Sequence, residues 1–424
     1  MCQWVGVSCS ARHGRVTALN LSNMRLQGII SPHLENLSFL ISLNISFNNF
    51  HGPLPKELGK LPRLKRITVY HNSFSGIIPH SLFNMSKLEI MDLGDNLIEG
   101  SVPFEGGQLP SLKQLSVEYN RLSGSLPNVM CKCLQKVETL SFVNNTFVGT
   151  IPRCIGSLTK LKDLYLSSNN LTGDHIPQEL GNLVELEILV MMKMGVGGPI
   201  PFSIFNISSL KIIKLHGNNL VGSLPVDICY HLPLLQGIYL GENKLTGGIP
   251  KSKIPSEVGH LQNMEALVLV SNNLTNNIPS SIFNISTLKA LSLSENQLTG
   301  NLPSSIGHTL SNLEEIYLSN NQLSGPIPGS ISNAFKLSLI DFGENSFTGI
   351  IPTNLGNLRS LEWLSLGSND LAGESSSQEL TFLSSLTNCW NLRLLQLAYN
   401  PLNGTLPSSI GNFSSALEII NLIH

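Results

Sequence analysis

The stretch Leu291-Ser292-Leu293-Ser294-Glu295-Asn296-Gln297-Leu298-Thr299-Gly300-Asn301-Leu302-Pro303 is answered one unit later by Ile316-Tyr317-Leu318-Ser319-Asn320-Asn321-Gln322-Leu323-Ser324-Gly325-Pro326-Ile327-Pro328. Both follow the pattern L-x-L-x-x-N-x-L-x-G-x-I-P, and units of mostly 24–25 residues with this pattern recur from Leu19 to the end of the 424-residue chain. The Asn position falls at residues 24, 48, 72, 96, 120, 145, 169, 194, 218, 243, 272, 296, 321, 345, 369 and 400, giving sixteen repeats and a seventeenth that opens at Leu417. Within each unit the L-x-L alternation predicts a short strand with one face turned inward. One unit cannot bury its own apolar face, so neighbours must stack and their strands must align as a parallel sheet.

This spacing predicts an α/β leucine-rich-repeat solenoid. The expected shape is a curved superhelix with a parallel β-sheet on the concave face and short helical or 3-10 turns on the convex side, for example over Ser304–Leu313. Residues 1–15 read as the remnant of an N-terminal cysteine cap and residues 16–424 as the solenoid. The Asn meets a physical need. Where the chain leaves the strand, buried backbone groups without partners would each cost roughly 1–3 kcal/mol. An amide side chain carries both donors and an acceptor, so a column of Asn can satisfy those groups along the stack. Met24 and Met194 replace it in two repeats, and the internal Met194 predicts a weaker turn. Gly stands four residues after the Asn position in every repeat but one, where Asn276 replaces it, which points to a left-handed backbone there. The Ile-Pro or Leu-Pro that follows fixes an extended exit.

Charged residues make up 13% of the chain and the net charge is −2, which argues against nucleic acid as a partner. Basic residues are scattered singly, and no stretch approaches the roughly 20 apolar residues that span a bilayer. Met1 runs directly into Cys2 without a signal peptide. Catalysis is not expected, since Ser, His and Asp all occupy positions that the repeat explains, and no nucleophile motif gathers them. Neither a cofactor nor a metal is expected, since Cys131-x-Cys133 has no His at ligand spacing. Eleven N-x-S/T sequons, at Asn20, Asn36, Asn44, Asn84, Asn144, Asn170, Asn206, Asn273, Asn284, Asn403 and Asn412, favour a secretory history and glycosylation. Cys2 and Cys9 bracket a short segment at the end where a solenoid needs a cap. Cys131, Cys133 and Cys154 lie in adjacent repeats, so one pair among them can bridge; Cys229 and Cys389 have no obvious partner. With seven cysteines at least one thiol stays free.

The stretch Cys2-Gln3-Trp4-Val5-Gly6-Val7-Ser8-Cys9 resembles the end of the N-terminal cap of plant leucine-rich-repeat receptor-like kinases, C-x-W-x-G-V-x-C. The L-x-G-x-I-P half of the repeat resembles the plant-specific form of the motif. The stretch Glu379-Leu380-Thr381-Phe382-Leu383-Ser384-Ser385-Leu386-Thr387-Asn388-Cys389 looks like the insertion of the subfamily of plant immune receptors for flagellin and elongation factor Tu, closest to the latter branch. The resemblance implies a disulfide between Cys2 and Cys9 in that cap. It also implies an extracellular, glycosylated region at the plasma membrane that binds a peptide or protein ligand, followed by one membrane helix and a cytoplasmic Ser/Thr kinase that signals with a co-receptor kinase. This sequence departs from that pattern at both ends, so it reads as a fragment, with the membrane helix and the kinase absent and no Gly-rich loop, H-R-D or D-F-G. An uncapped last strand is expected to fray beyond about residue 390. A secreted inhibitor of a wall-degrading enzyme and an inactive gene fragment are the competing readings.

A ligand is expected on the outward positions of the strands. Asn20, Ser22, Asn23, Asn44, Ser46 and Phe47 hold that face in the first two repeats, and two of them head sequons. Tyr70, His71, Asp92, Asp95, Glu118 and Tyr119 form an acidic and aromatic patch. Tyr165, Val190, Met192, Lys193, Lys214, His216, Tyr239 and Glu242, with Val268 and Val270, form a middle patch of aromatics, Met and cations, the composition of binding hot spots. Lys193 and Lys214 beside Tyr165 and Tyr239 suit a peptide carboxylate, and His216 reads as a solvated surface histidine. Two lengthened repeats, at Gly248–Pro255 and Glu374–Cys389, are expected to loop out.

Overall fold

The computed structural model describes residues 2–173, 175–225, 228–249, 263–373 and 378–422. It divides into two compact units, Met1–Leu210 with Gly217–Asn219, and Lys211–His216 with Leu220–His424. In the first, the cap strand Val7–Cys9 pairs antiparallel with Val16–Asn20. From there every neighbour is parallel and in register: Asn20 faces Asn44, then Thr68, Asp92, Ser116, Ser141, Tyr165 and Val190, one repeat at a time. In the second unit the run Lys214, Tyr239, Val268, Ser292, Tyr317, Asp341, Ser365, Gln396 and Asn421 is in register in the same way. The middle residue of each strand points inward, and Leu43, Ile67, Met91, Leu115 and Leu140 are at most 2% exposed. The return segments are 3-10 turns such as Pro32–Asn36 and Thr353–Asn357, or short α-helices such as Val129–Cys133 and Ile306–Thr309, the latter inside the expected Ser304–Leu313. Each unit is therefore a leucine-rich-repeat solenoid.

The Asn column works in one direction. Asn72 accepts the Phe50 N–H on Oδ1 at 3.0 Å, and its Nδ2 donates to Ile45 O and Val69 O, each at 3.0 Å. Asn96 does the same for Phe74, and Asn120 for Ile98. Each side chain thus closes its own turn and also latches the repeat before it. The latched N–H lies in a second strand, present in the first unit at Asn49–Pro53, Ser73–Gly76, Leu97–Gly100, Arg121–Gly124 and Thr146–Phe147. Over residues 170–173 the second strand is missing, reduced to one bridge between Val148 and Asn170. That repeat is the one whose latch would be residue 194. Met194 is buried at 1% exposure and fills the column by packing, and the Leu171 N–H has no acceptor among the described residues. The missing latch falls one repeat upstream of Met194, not at its own turn, because the Asn acts backwards. Met194's own turn is held by Asn218, whose Oδ1 takes the N–H of Met194 and of Val196 at 3.1 and 3.3 Å.

Two left-handed positions recur per repeat. At the Gly four residues after the Asn position the backbone φ is +75° at Gly76, +78° at Gly100 and +76° at Gly325, and Asn276 adopts +67°. The second position is the residue immediately before the Asn position, left-handed in repeat after repeat from Asn23 (+56°) through Phe47, His71, Tyr119, Lys193 and Glu242 to Tyr399 (+57°). This conformation costs about 1–2 kcal/mol for an ordinary L-residue. The repeat imposes it because the twist aims two successive N–H groups at the next unit: Phe47 N–H reaches Tyr70 O at 2.9 Å and Asn48 N–H reaches His71 O at 3.2 Å.

Cys2–Cys9 is a disulfide in the cap, as the resemblance implies, and Cys131–Cys154 ties the helix Val129–Cys133 to the 3-10 turn Arg153–Ser157 of the next repeat. Closing that 23-residue separation lowers the entropy of the unfolded chain by an amount equivalent to about 3 kcal/mol. Cys133 and Cys389 are free thiols, both buried, and burial pushes the Cys389 thiol up to about 11. The Cys229 side chain and most of the Gly248–Pro255 lengthening lie outside the described residues. The described part of the other lengthened repeat does not loop out. It forms the helix Thr381–Leu386, which buries Phe382, Leu383 and Leu386 against the turn Thr353–Asn357, with Cys389 at 0% exposure behind them.

Candidate functional site

The residue just ahead of each strand lies at the entry edge of the sheet, and its backbone carbonyl accepts the N–H of its counterpart one repeat on, as in Glu89 N–H to Lys65 O at 2.7 Å. Along the first unit this column reads Lys65, Glu89, Lys113, Glu138, Lys162, Glu187. Opposite charges so become neighbours, with Lys65–Glu89 at 2.7 Å and Lys162–Glu138 at 3.2 Å. In the second unit Lys289–Glu265 and Arg393–Glu418 repeat the device at 2.9 and 2.6 Å. Cations that look scattered in the sequence are thus collected into a ladder, which no local pattern signals because partners stand 24 or 25 residues apart.

The outward face of the first unit carries two groups of candidates. Tyr70 and Phe47 meet edge-on with ring centroids 5.5 Å apart, and Phe47 lies 5.3 Å from the His71 ring. His71 Nδ1 pairs with Asp95 Oδ2 at 2.5 Å, and Glu118 accepts the Ser141 hydroxyl at 2.5 Å. Phe47 and Tyr119 are 51% and 48% exposed, which left-handed backbone at both helps to enforce. Burial raises the Tyr70 hydroxyl above its ordinary value, and Asp95, Glu118 and Asp92 add to the rise. Burial also raises the Asp92 carboxyl, opposed by a hydrogen bond from the Gly94 N–H. Further along, Tyr165 is half-buried and its hydroxyl is raised by burial and then by Asp163 and Glu118. Met192 is half-buried with its N–H on Ser167 Oγ at 2.9 Å, and Lys193 is exposed. Val190 corrects the sequence reading. At 8% exposure it is covered, in register with Tyr165, and presents almost no apolar surface to a ligand.

On the second unit Lys214 and Tyr239 are in register, and the Lys214 ammonium lies 4.8 Å from the Tyr239 ring centroid, a cation–π contact. His216 is half-buried and Glu242 exposed on the same face. Among the described residues no group of three or more His, Cys, Asp and Glu can hold a metal ion, and no helix is long and apolar enough to cross a membrane. A cleft of about 300 Å³ lined by Glu315, Trp363, Arg393 and Glu418 contains none of the candidates. Of the eleven sequon Asn residues ten are exposed; Asn44 is half-buried, with its Oδ1 taken by the Ser46 N–H at 3.1 Å.

Models of the leucine-rich repeat match residues 62–122 and 311–371, and a second leucine-rich-repeat model matches 39–61, 160–183, 287–309 and 391–413. The Arabidopsis thaliana LRR receptor-like serine/threonine-protein kinase EFR is 47% identical over 64 residues, 15% of this chain and 6% of the relative. Among solved structures, the ectodomain of the Arabidopsis membrane receptor kinase GASSHO1/SCHENGEN3, in complex with CASPARIAN STRIP INTEGRITY FACTOR 2, superimposes with a TM-score of 0.83 at 30% identity. That match covers all of this chain and 57% of the other. The Arabidopsis HAESA ectodomain with an extended IDA peptide hormone gives a TM-score of 0.76 at 32% identity, covering 99% of this chain and 68% of that one. A further HAESA structure with IDA and the co-receptor SERK1 gives 0.66 at 25% identity, covering 99% of this chain and 84% of that one.

Proposed function

Because the chain belongs to the leucine-rich-repeat family and is homologous to plant leucine-rich-repeat receptor-like kinases, we propose that it is the extracellular ligand-binding region of such a receptor, with a peptide as its ligand. The observation that carries this reading is the outward sheet face. There Tyr70, Glu118, Tyr119, Tyr165, Met192 and Lys193 in one unit, and Lys214, His216, Tyr239 and Glu242 in the other, stand apart from the inward Leu and Ile columns that form the core. Large side chains that the core does not need and that stay at least partly open to solvent are the usual material of a recognition surface. The IDA peptide hormone in the HAESA complexes supports a peptide as ligand, and the HAESA–SERK1 complex supports a co-receptor as partner. A membrane helix and a Ser/Thr kinase would complete the receptor, which would act in immune or developmental signalling. The exposed sequons support passage through the secretory pathway and glycosylation.

The test is to secrete the chain from plant cells behind a signal sequence, measure its mass before and after enzymatic deglycosylation, and titrate it with fractionated peptides. Saturable peptide binding is expected, and Tyr165→Ala and Tyr239→Ala should each weaken it about tenfold, equivalent to about 1.4 kcal/mol. Inhibition of a wall-degrading enzyme without any peptide binding would replace the receptor reading with the secreted-inhibitor one.

A further inference from the structure

Two residues ahead of the charge ladder at the strand entry, the first unit carries a second column: Arg15, Phe39, Arg63, Lys87, Ser111, Lys136, Lys160 and Glu185. The ladder's backbone bonds, from the Ile41 N–H on Thr17 O at 2.7 Å to the Lys162 N–H on Glu138 O at 2.7 Å, set these residues in successive repeats. The ladder alternates in sign and neutralises itself, whereas this column holds five cations, all exposed, before its first acid. Where that acid arrives it is paired, Lys160 to Glu185 at 2.6 Å, so a carboxylate one repeat along is within reach of a cation here. Arg15, Arg63, Lys87 and Lys136 are offered none, and among the described residues none of the four has an Asp or Glu within ion-pair distance. Like charges on neighbouring repeats repel, so the column costs stability until an anion meets it. The repeat itself does not demand the arrangement. From Leu234 to Ala416 the same column holds one cation, Lys336, whose ammonium donates to Asn312 Oδ1 at 2.9 Å.

The geometry around Phe39 adds an independent feature. Its ring carries a guanidinium from each neighbouring repeat, with Arg15 Cζ at 4.6 Å and Arg63 Cζ at 4.2 Å from the centroid, and the His13 ring lies 4.5 Å away. Stacking on an aromatic face fixes a guanidinium plane and leaves its N–H fork free at the rim, ready to hold a carboxylate through two bonds. Among the described residues neither fork donates to an acceptor of the chain. A cleft of about 240 Å³ lined by Gly14, Arg15, Asn36, Ser38 and Phe39 opens beside them.

We propose that this edge of the first unit binds a linear acidic polysaccharide, a polyuronate, whose carboxylates are held by Arg15 and Arg63 and then by Lys87 and Lys136 along the stack. Parallel strands lie about 4.8 Å apart, so Arg15 to Lys136 spans about 24 Å, which a single small anion cannot bridge. A pyranose ring is about as long as one strand spacing, and a polyuronate carries a carboxylate on every ring, so its charges keep step with the repeats. An extended acidic peptide presents same-side residues about every 6.6–6.8 Å and falls out of step. The site lies at the strand-entry edge, away from the outward face assigned to a peptide, and does not depend on that assignment.

The test uses the full chain, deglycosylated so that no glycan on Asn36 covers the cleft, titrated calorimetrically with an oligogalacturonate long enough to span the column. Saturable binding is expected, about tenfold or more tighter than to the methyl ester of the same oligomer, and weakening as salt is added. Arg63→Gln with Lys87→Gln should weaken it about tenfold. Phe39→Leu should weaken it about threefold with every charge in place, because both guanidiniums lose their support. Lys244→Gln with Lys336→Gln removes the same charge from the second unit and should leave binding within about twofold. Thermal melts of the parent and the two charge variants should agree, since these side chains are exposed. Equal losses in the two charge variants, or a methyl ester that binds as well, overturn the inference. So does an oligoglutamate or single-stranded DNA that binds as tightly, which would make the edge a general anion surface. Absence of oligogalacturonate binding overturns it too, and leaves the peptide-binding reading standing.

Discussion

Replacing Asn96 by methionine should damage the molecule upstream of the substitution. Asn96 makes four hydrogen bonds: Oδ1 accepts the Phe74 N–H at 3.0 Å, and Nδ2 donates to Val69 O at 3.2 Å, Leu93 O at 3.2 Å and Gly94 O at 2.8 Å. At about 1 kcal/mol net for each, their loss costs about 4 kcal/mol. Methionine buried as Met194 is would return about 1.5–2 kcal/mol of transfer free energy, leaving about 2–3 kcal/mol of destabilisation. Hydrogen exchange followed by mass spectrometry reads where that loss falls. The Phe74 amide should exchange roughly thirty- to a hundredfold faster, and the strand Ser73–Gly76 should lose protection with it. The Ile98 amide, just after the substituted position, should keep its protection because Asn120 holds it at 2.9 Å. Faster exchange at Ile98 with Phe74 unchanged would refute the backward latch.

The reverse substitution, Met194→Asn, should slow exchange at the Leu171 amide and raise the urea midpoint of that region by an amount equivalent to about 1 kcal/mol. Asn276→Ala should destabilise by about 1 kcal/mol at an unchanged m-value, whereas Asn276→Gly should stay within about half of that, since φ there is +67°. The Glu89 carboxyl is held below the usual carboxylate range chiefly by its hydrogen bond from Lys65. Its contribution is therefore complete above the unfolded carboxylate value and is lost as pH falls through the lowered folded one. The gap in urea midpoint between the parent chain and Glu89→Gln should accordingly close between about pH 5 and about pH 3; a gap that widens on acidification would contradict the pairing.

The repeat makes most of this architecture legible. Leu291 and Leu293 report strand parity, and one exception, Asn276, is enough to reveal a left-handed column otherwise occupied by Gly. The left-handed residue before the Asn position leaves no sequence signal, because Phe47, Lys193 and Glu242 have no local taste for that conformation; stacking forces it on them. The direction of the Asn latch is likewise a property of two repeats together, which is why the sequence points to Met194 while the missing latch falls at residues 170–173. On the face, parity places Tyr70, Glu118, Tyr165 and Tyr239 outward, but it does not foretell that Val190 is covered or that Lys214 rests on Tyr239. The inserted stretch Glu379–Cys389 reads as a loop because its apolar residues follow no repeat position; they follow the spacing of one helical turn.

A latch that always reaches backwards gives the chain an arrow in time. During synthesis a turn is secured only when the Asn lying 22 to 29 residues later has emerged and swung into place. The growing end therefore always carries one turn still open, and each new repeat acts as the pawl of a ratchet on the one made before it. At residue 194 the ratchet lacks a tooth. Assembly must pass that point on strand pairing and methionine packing without an Asn latch, so a nascent chain should pause there, and a chaperone that grips unfinished repeats would find its longest-lived target just upstream.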